Sequence, residues 1–180
     1  MHAWIEWIVH LDLPFSFVES SLTRKNTNLP KTSVETVIQK MEMVSEKVMH
    51  RIADLLPSQF GLMIDGWTEG GTHYVAVFAI YHTPGDPSAD EAGDCYVLLS
   101  MSPLLDEGSY TAENHAEYLD DVLNMYGKDR SNLLYLVADN CHTNSCLATL
   151  LKIPLFGCHS HKLNLAVEVM SFLSRCTRFV

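Results

Sequence analysis

Positive charge is what this chain has least of. It carries 12 lysines and arginines against 22 aspartates and glutamates, a formal net charge of −10. A dedicated nucleic-acid-binding module presents a basic face, so this balance argues against one. It leaves room for a catalytic core, whose metal-binding carboxylates are themselves acidic. Paired cysteines are missing too. The five cysteines, Cys95, Cys141, Cys146, Cys158 and Cys176, are odd in number and form no Cys-x-x-Cys pair. That favours reduced thiols in an intracellular protein over a disulfide framework. No window approaches the ~18 uncharged apolar residues that span a bilayer. The apolar start, MHAWIEWIVHLDLPF, is interrupted by Glu6, His10 and Asp12. It has neither a basic leader nor a small-residue cleavage site, so it does not read as a signal peptide. Internal repeats and low-complexity tracts are absent as well. A soluble, non-membrane protein is the expectation.

What is present is enough apolar material for a sizeable core: 47% of the 180 residues are hydrophobic and 19% charged. The pattern divides into an N-terminal helical segment with a linker, residues 1–57, and an α/β domain, residues 58–180. In the first part, Trp4, Ile5, Ile8 and Leu11 recur at helical spacing. Pro14 limits helix in the aromatic stretch that follows, and Ser20–Lys31, polar and containing Pro30, reads as linker. Thr32–Leu56 is the longest helical stretch. Thr32 or Ser33 is placed to cap it, and Val34, Val37, Ile38, Met41, Val44, Val48, Ile52 and Leu55 make one apolar face to lay against a core.

The second part reads as β-β-β-α-β-α-β-α. Strands are expected at Phe60–Asp65, His73–His82 and Cys95–Ser102, with a glycine-rich turn over Gly66–Gly71 whose Gly70-Gly71 suggests a hairpin. Thr83–Asp94, with two prolines, two glycines and four acids, is a loop. Thr111 is the expected N-cap of a helix running to Met125, which Gly127 ends. A buried strand at Leu133–Ala138, a helix over Thr143–Leu151, a brief strand at Leu155–Gly157 and a last helix from near His159 complete the order. Three strands able to meander, then alternating helices and strands, form a mixed sheet with helices on its faces.

Two stretches share a grammar that points to chemistry. LLYLVAD delivers Asp139, and FGLMID delivers Asp65, each at the end of an apolar run suited to a buried strand. A lone aspartate there often caps a turn. Two on neighbouring strands of one sheet can share Mg²⁺ or Mn²⁺, whose hard oxygen ligands they are. Cys158 and His161 lie three apart near a helix start. Zinc, completed by Cys141, His142 or Cys146, is the alternative there, but structural zinc sites show two spaced ligand pairs and Cys141-x4-Cys146 fits loosely.

Four motifs together resemble the catalytic core of hAT-family transposases and their domesticated relatives. They are PFSFVE at Pro14–Glu19, Asp-x-Trp-Thr at Asp65–Thr68, Ala-Asp-Asn at Ala138–Asn140 with Asn144 following, and Cys-x-x-His-x-Leu-Asn-Leu at Cys158–Leu165. The resemblance spans nearly the whole chain and implies a ribonuclease-H-like fold, cut before the family's helical insertion. It implies that Asp65 and Asp139 bind the catalytic Mg²⁺ or Mn²⁺, and that Trp67, Cys158 and His161 lie beside transposon-end DNA. A third acid, a glutamate, is implied beyond the insertion, past Val180; Glu168 on the last helix is the substitute within this chain. The implied setting is nuclear and the implied reaction DNA strand cleavage and transfer, silent in this fragment alone. A domesticated nuclear protein that keeps the fold for protein contacts is the competing reading, and a small zinc-binding structural domain is a third.

Overall fold

The computed structural model describes residues 1–83, 90, 93–103 and 111–159. The chain divides into two compact units, Met1–Arg51 and Ile52–Val180, so the division falls within the long helix rather than at Pro57.

The first unit is built on α1 (His2–Leu11), a short 3-10 turn (Phe15–Glu19), α2 (Ser21–Asn26) and the start of α3 (Val34–Leu55). Trp4 and Ile8, one helical turn apart, enter a core with Val18 and Val37, flanked by Phe17, Leu29, Val34 and Met41. Leu11, on the same expected stripe, is 63% exposed. Two expectations are corrected here. The stretch Ser20–Lys31 is not a plain linker, because it contains α2. There Arg24 donates from Nε to the Val18 carbonyl (3.2 Å) and from a terminal nitrogen to that of Thr32 (3.1 Å), and Thr23 is buried. Polarity misled because these groups find backbone partners rather than water. The apolar stripe of α3 is also not covered along its length. Ser33 caps the helix, its hydroxyl accepting from the Thr36 N–H at 3.2 Å. Val37 is buried, but Met43, Val44, Val48 and Leu55 are each 43–50% exposed. The small core reaches only the N-terminal turns of α3, near Val34, Val37 and Met41.

The second unit is α/β, with a five-stranded mixed sheet ordered β3-β2-β1-β4-β5. The strands are β1 (Phe60–Glu69), β2 (Thr72–His82), β3 (Asp94–Pro103), β4 (Leu133–Ala138) and β5 (Leu155–Gly157). The first three form an antiparallel meander; β4 runs parallel to β1, and β5 parallel to β4. Among the described residues two α-helices follow the meander, α4 (Ala112–Met125) and α5 (His142–Leu151), and they pack on each other. The expected turn at Gly66–Gly71 is shorter than its glycines suggested: β1 continues through Trp67 and Thr68 to Glu69. Only Gly70 and Gly71 turn, with φ of 59° and 85°. A two-residue hairpin of this hand needs positive φ at both positions, which glycine supplies without strain. The helix expected from near His159 lies outside the described residues beyond that first position.

Buried Leu62, Ile64, Val75 and Val77 of the meander, Leu136 and Ala138 of β4, Leu119 and Leu123 of α4, and Leu147 and Leu151 of α5 form the unit's core. Thr111 caps α4 as expected, its hydroxyl accepting from the Asn114 N–H at 3.3 Å. At the other end of α4 the Tyr126 hydroxyl donates to the Leu99 carbonyl of β3 at 2.7 Å in a buried setting. Tyr126→Phe removes this bond and leaves a buried carbonyl unpaired, so urea unfolding is expected to show a loss of about 1–2 kcal/mol. Burial raises the Tyr126 phenol above its ordinary value of 10.0. A raised folded value means that this contribution is fully present below pH 10 and is lost as the pH climbs through it. The Phe variant is expected to lack that part of the alkaline decline; an unchanged decline would assign it to other tyrosines.

Candidate metal-binding cleft

Parallel pairing of β1 and β4 places Met63 opposite Val137. Asp65 and Asp139 each lie two residues further on, so they share a side-chain parity at neighbouring positions. Asp65 stands within β1, where it still pairs with Ala76 of β2; Asp139 is the first residue beyond β4. The β1–β4 ladder ends before both, and the strands part there. In the opening lies a cleft of about 190 Å³, lined by both aspartates together with His73, His115, Cys141 and Asn144.

Asp139 is held in place. Asn144, in the first turn of α5, donates from Nδ2 to the Asp139 carboxylate (2.5 Å) and to its carbonyl (3.3 Å). The Cys141 N–H donates to the same carboxylate oxygen, Oδ1, at 3.3 Å. This local folding follows from the sequence: Asp139 bends the chain over its own backbone, as an aspartate at a turn does. Cys141 then caps α5, its Sγ accepting from the Asn144 N–H at 3.4 Å. The open N-terminus of α5 adds a favourable dipole beside the carboxylate. The Cys141 thiol feels the same surroundings with the opposite consequence. Desolvation pushes its pKa up from 9.0, the Asp139 carboxylate adds to the rise, and the Asn144 N–H opposes it.

Across the cleft, His73 bonds Thr68 through Nδ1 and Oγ1 at 3.0 Å. Its ring lies over Gly66, where a Cβ would stand 3.1 Å from His73 Nε2. A side chain at position 66 therefore needs the imidazole to give by a few tenths of an ångström.

Neither a protein-family model nor a curated protein matches this chain.

The other candidate residues are distributed as follows. Trp67, half-buried, stacks on Tyr74 across the hairpin, with ring centres 5.5 Å apart and planes 18° from parallel. Cys158 donates its N–H to the Ala138 carbonyl at 2.8 Å and lines a different hollow, with Met63, Tyr135 and Val137. His161 and Glu168 lie outside the described residues. Cys146 and His142 meet one turn apart on α5, Sγ to Nε2 3.5 Å. Among the described residues no three His, Cys, Asp or Glu side chains converge closely enough to hold a metal ion. As hard oxygen donors, Asp65 and Asp139 are the cleft residues that could contribute to holding Mg²⁺ or Mn²⁺ rather than zinc.

Two residues of the cleft, His73 and His115, went unread in the sequence. For His115 a signal existed. The helical period that collects Ala116, Leu119, Val122 and Leu123 of α4 also collects His115, a polar residue on a buried face.

Proposed function

We propose that this chain is part of the ribonuclease-H-like catalytic core of a hAT-type transposase, whose ancestral reaction is metal-dependent cleavage and transfer of DNA strands. The observation that carries the reading is the matched placement of Asp65 and Asp139, two residues past a paired position on adjacent parallel strands and lining one cleft. The element order, three antiparallel strands and then alternating helices and strands, supports it.

Bound Mg²⁺ or Mn²⁺ supplies activation of the attacking oxygen and stabilisation of the leaving one. The chain's own part is positional. Asp65 and Asp139 hold the charge, and Asn144 holds Oδ1 of Asp139. Trp67, with one ring face on Tyr74, offers the remaining surface to an unpaired base of a transposon end, since aromatic stacking accepts any base. Cys158 and His161 stand beside the same DNA. The third acid is a glutamate downstream of the helical insertion, with Glu168 the candidate inside this chain, and the protein works in the nucleus.

Catalytic carboxylates act as a unit, so two acids without a third are expected to leave the isolated chain silent in Mg²⁺. Its net charge of −10 predicts weak DNA binding that fades steeply with salt. That same charge favours the second reading, a domesticated nuclear protein that keeps the fold for protein contacts. Calorimetric titration with Mn²⁺ separates the two. The transposase reading expects saturable binding at the cleft, and no heat up to millimolar ion would leave the interaction reading standing. Elemental analysis is expected to find no stoichiometric zinc; one zinc per chain, lost on Cys158→Ser, would move the assignment to a structural metal domain.

A further inference from the structure

The cleft contains one buried group for which the two aspartates give no account. His115, in the first turn of α4, is 8% exposed and lines the cleft with Asp65 and Asp139. Its Nδ1 lies 2.9 Å from the Thr111 carbonyl oxygen. A carbonyl only accepts, so Nδ1 carries the hydrogen, and in the neutral ring the lone pair is on Nε2. Among the described residues that nitrogen meets no partner. With Nδ1 on Thr111, Nε2 is the ring nitrogen left for the cleft that this otherwise buried side chain lines. A leucine would fill the same space under α4 without bringing a polar nitrogen to it. The Thr111 bond thus selects one tautomer of the neutral imidazole, whose residue lines the space the aspartates border.

We propose that His115 is the proton acceptor of this cleft for phosphoryl transfer. The inference rests on the metal-dependent reading above. In the step, Nε2 takes the proton of the attacking water or 3′-hydroxyl as that oxygen bonds to phosphorus. The bond from phosphorus to the leaving oxygen breaks with its electron pair, and that oxygen takes a proton from solvent. The imidazolium left behind keeps its Nδ1–H on Thr111, so the ring need not turn. Asp65 from β1, Asp139 from the β4–α5 junction and His73 from β2 line the same cleft. Cys141 also faces the cleft, and Glu113 on the same helix is exposed.

The experiment is nitrogen NMR of the full chain labelled in histidine, with Mg²⁺ and thymidine 3′,5′-bisphosphate as the probe. Expected is an Nε2 resonance of His115 that shifts on addition while Nδ1 stays, together with a shift of the Asp139 carboxyl carbon. A shifted Asp139 with an unmoved Nε2 overturns the role of His115 and leaves the metal reading intact. If neither moves, the metal reading fails and this inference fails with it. The role itself is read with His115→Asn, whose amide can keep the Thr111 bond but has nothing at the position of Nε2. In Mn²⁺-dependent hydrolysis of the activated diester bis(p-nitrophenyl) phosphate, which asks far less of the metal site than the DNA cleavage in Mg²⁺ expected to be silent, this variant is expected to lose about 10²–10⁴-fold in rate and the base-dependent limb of the pH profile. Unfolding temperature and Mn²⁺ affinity are expected to stay unchanged. A variant as fast as the parent, with the same pH profile, shows His115 to be a helix-end contact only.

Discussion

Trp4→Ala is expected to unfold residues 1–50 while leaving the sheet intact. Trp4 is 2% exposed, and its indole donates to the Pro30 carbonyl at 2.9 Å. It also meets Trp7 and Phe17 edge-on, at 6.1 and 6.3 Å between ring centres. Removing a buried tryptophan costs about 3–5 kcal/mol. A unit of this size is stabilised by only about 3–8 kcal/mol, at roughly 0.05–0.15 kcal/mol per residue. The loss therefore takes away most of what holds the first unit, whose fully buried centre has few other members: Ile8, Val18 and Val37. Hydrogen exchange read by mass spectrometry is the measurement. Protection is expected to vanish in α1 and the first turns of α3 and to persist in β1, β2 and β4. Trp4→Phe keeps much of the packing and gives up the bond to Pro30, so a loss of about 1 kcal/mol is expected from that variant. Simultaneous loss of protection in both units would show that they fold as one.

What could be read in the sequence, and what could not, follows from how far each signal is local. The strand at Leu133–Ala138 and the helix capped by Thr111 were legible because an apolar run and a cap announce themselves within a few residues. Gly70-Gly71 was legible for the same reason, but Gly66 was not. A glycine under the His73 ring looks like a turn residue until the hairpin partner is known, so β1 was read too short. The α3 stripe failed in a different way. Val44, Val48 and Leu55 are spaced for burial, yet spacing states only that a helix has an apolar face and not that a core is present opposite it. Arg24 shows the converse, since a charged residue in a polar stretch ties two backbone segments together. The site was half legible. Asp65 and Asp139 could be paired because each ends an apolar run, and β1 and β4 are neighbouring strands with Met63 opposite Val137 two residues earlier. The cleft's imidazoles depend on tertiary packing: the ring of His73 is set by Gly66, and that of His115 by the approach of α4.

The largest effect on the cleft is expected from Asp139→Asn, read as the Mn²⁺-induced rise in unfolding temperature. Ligand present at 100 times its Kd stabilises by about 2.7 kcal/mol. In a chain of this length that moves the midpoint by roughly 5–10 °C. Asparagine at 139 keeps an oxygen to accept from Asn144 Nδ2 and the Cys141 N–H, so the turn before α5 has what it needs to form. What disappears is one of two negative charges bordering the cleft. Affinity for a hard divalent ion follows ligand charge, and the rise is expected to vanish, with Kd weaker by more than ~100-fold. Asn144→Ala gives the graded comparison. Both carboxylates remain, but Asp139 loses the amide that orients it, and orienting partners of this kind are worth about 10–100-fold in metal affinity. The expected order is therefore the parent chain, then Asn144→Ala, then Asp139→Asn with Asp65→Asn beside it. Glu168→Gln completes the series. With the third acid expected further downstream, it should leave the rise unchanged, and a fall as large as that of Asp139→Asn would make Glu168 the third ligand. Should Asp139→Asn bind Mn²⁺ as the parent does, the ion sits elsewhere and the paired aspartates are structural.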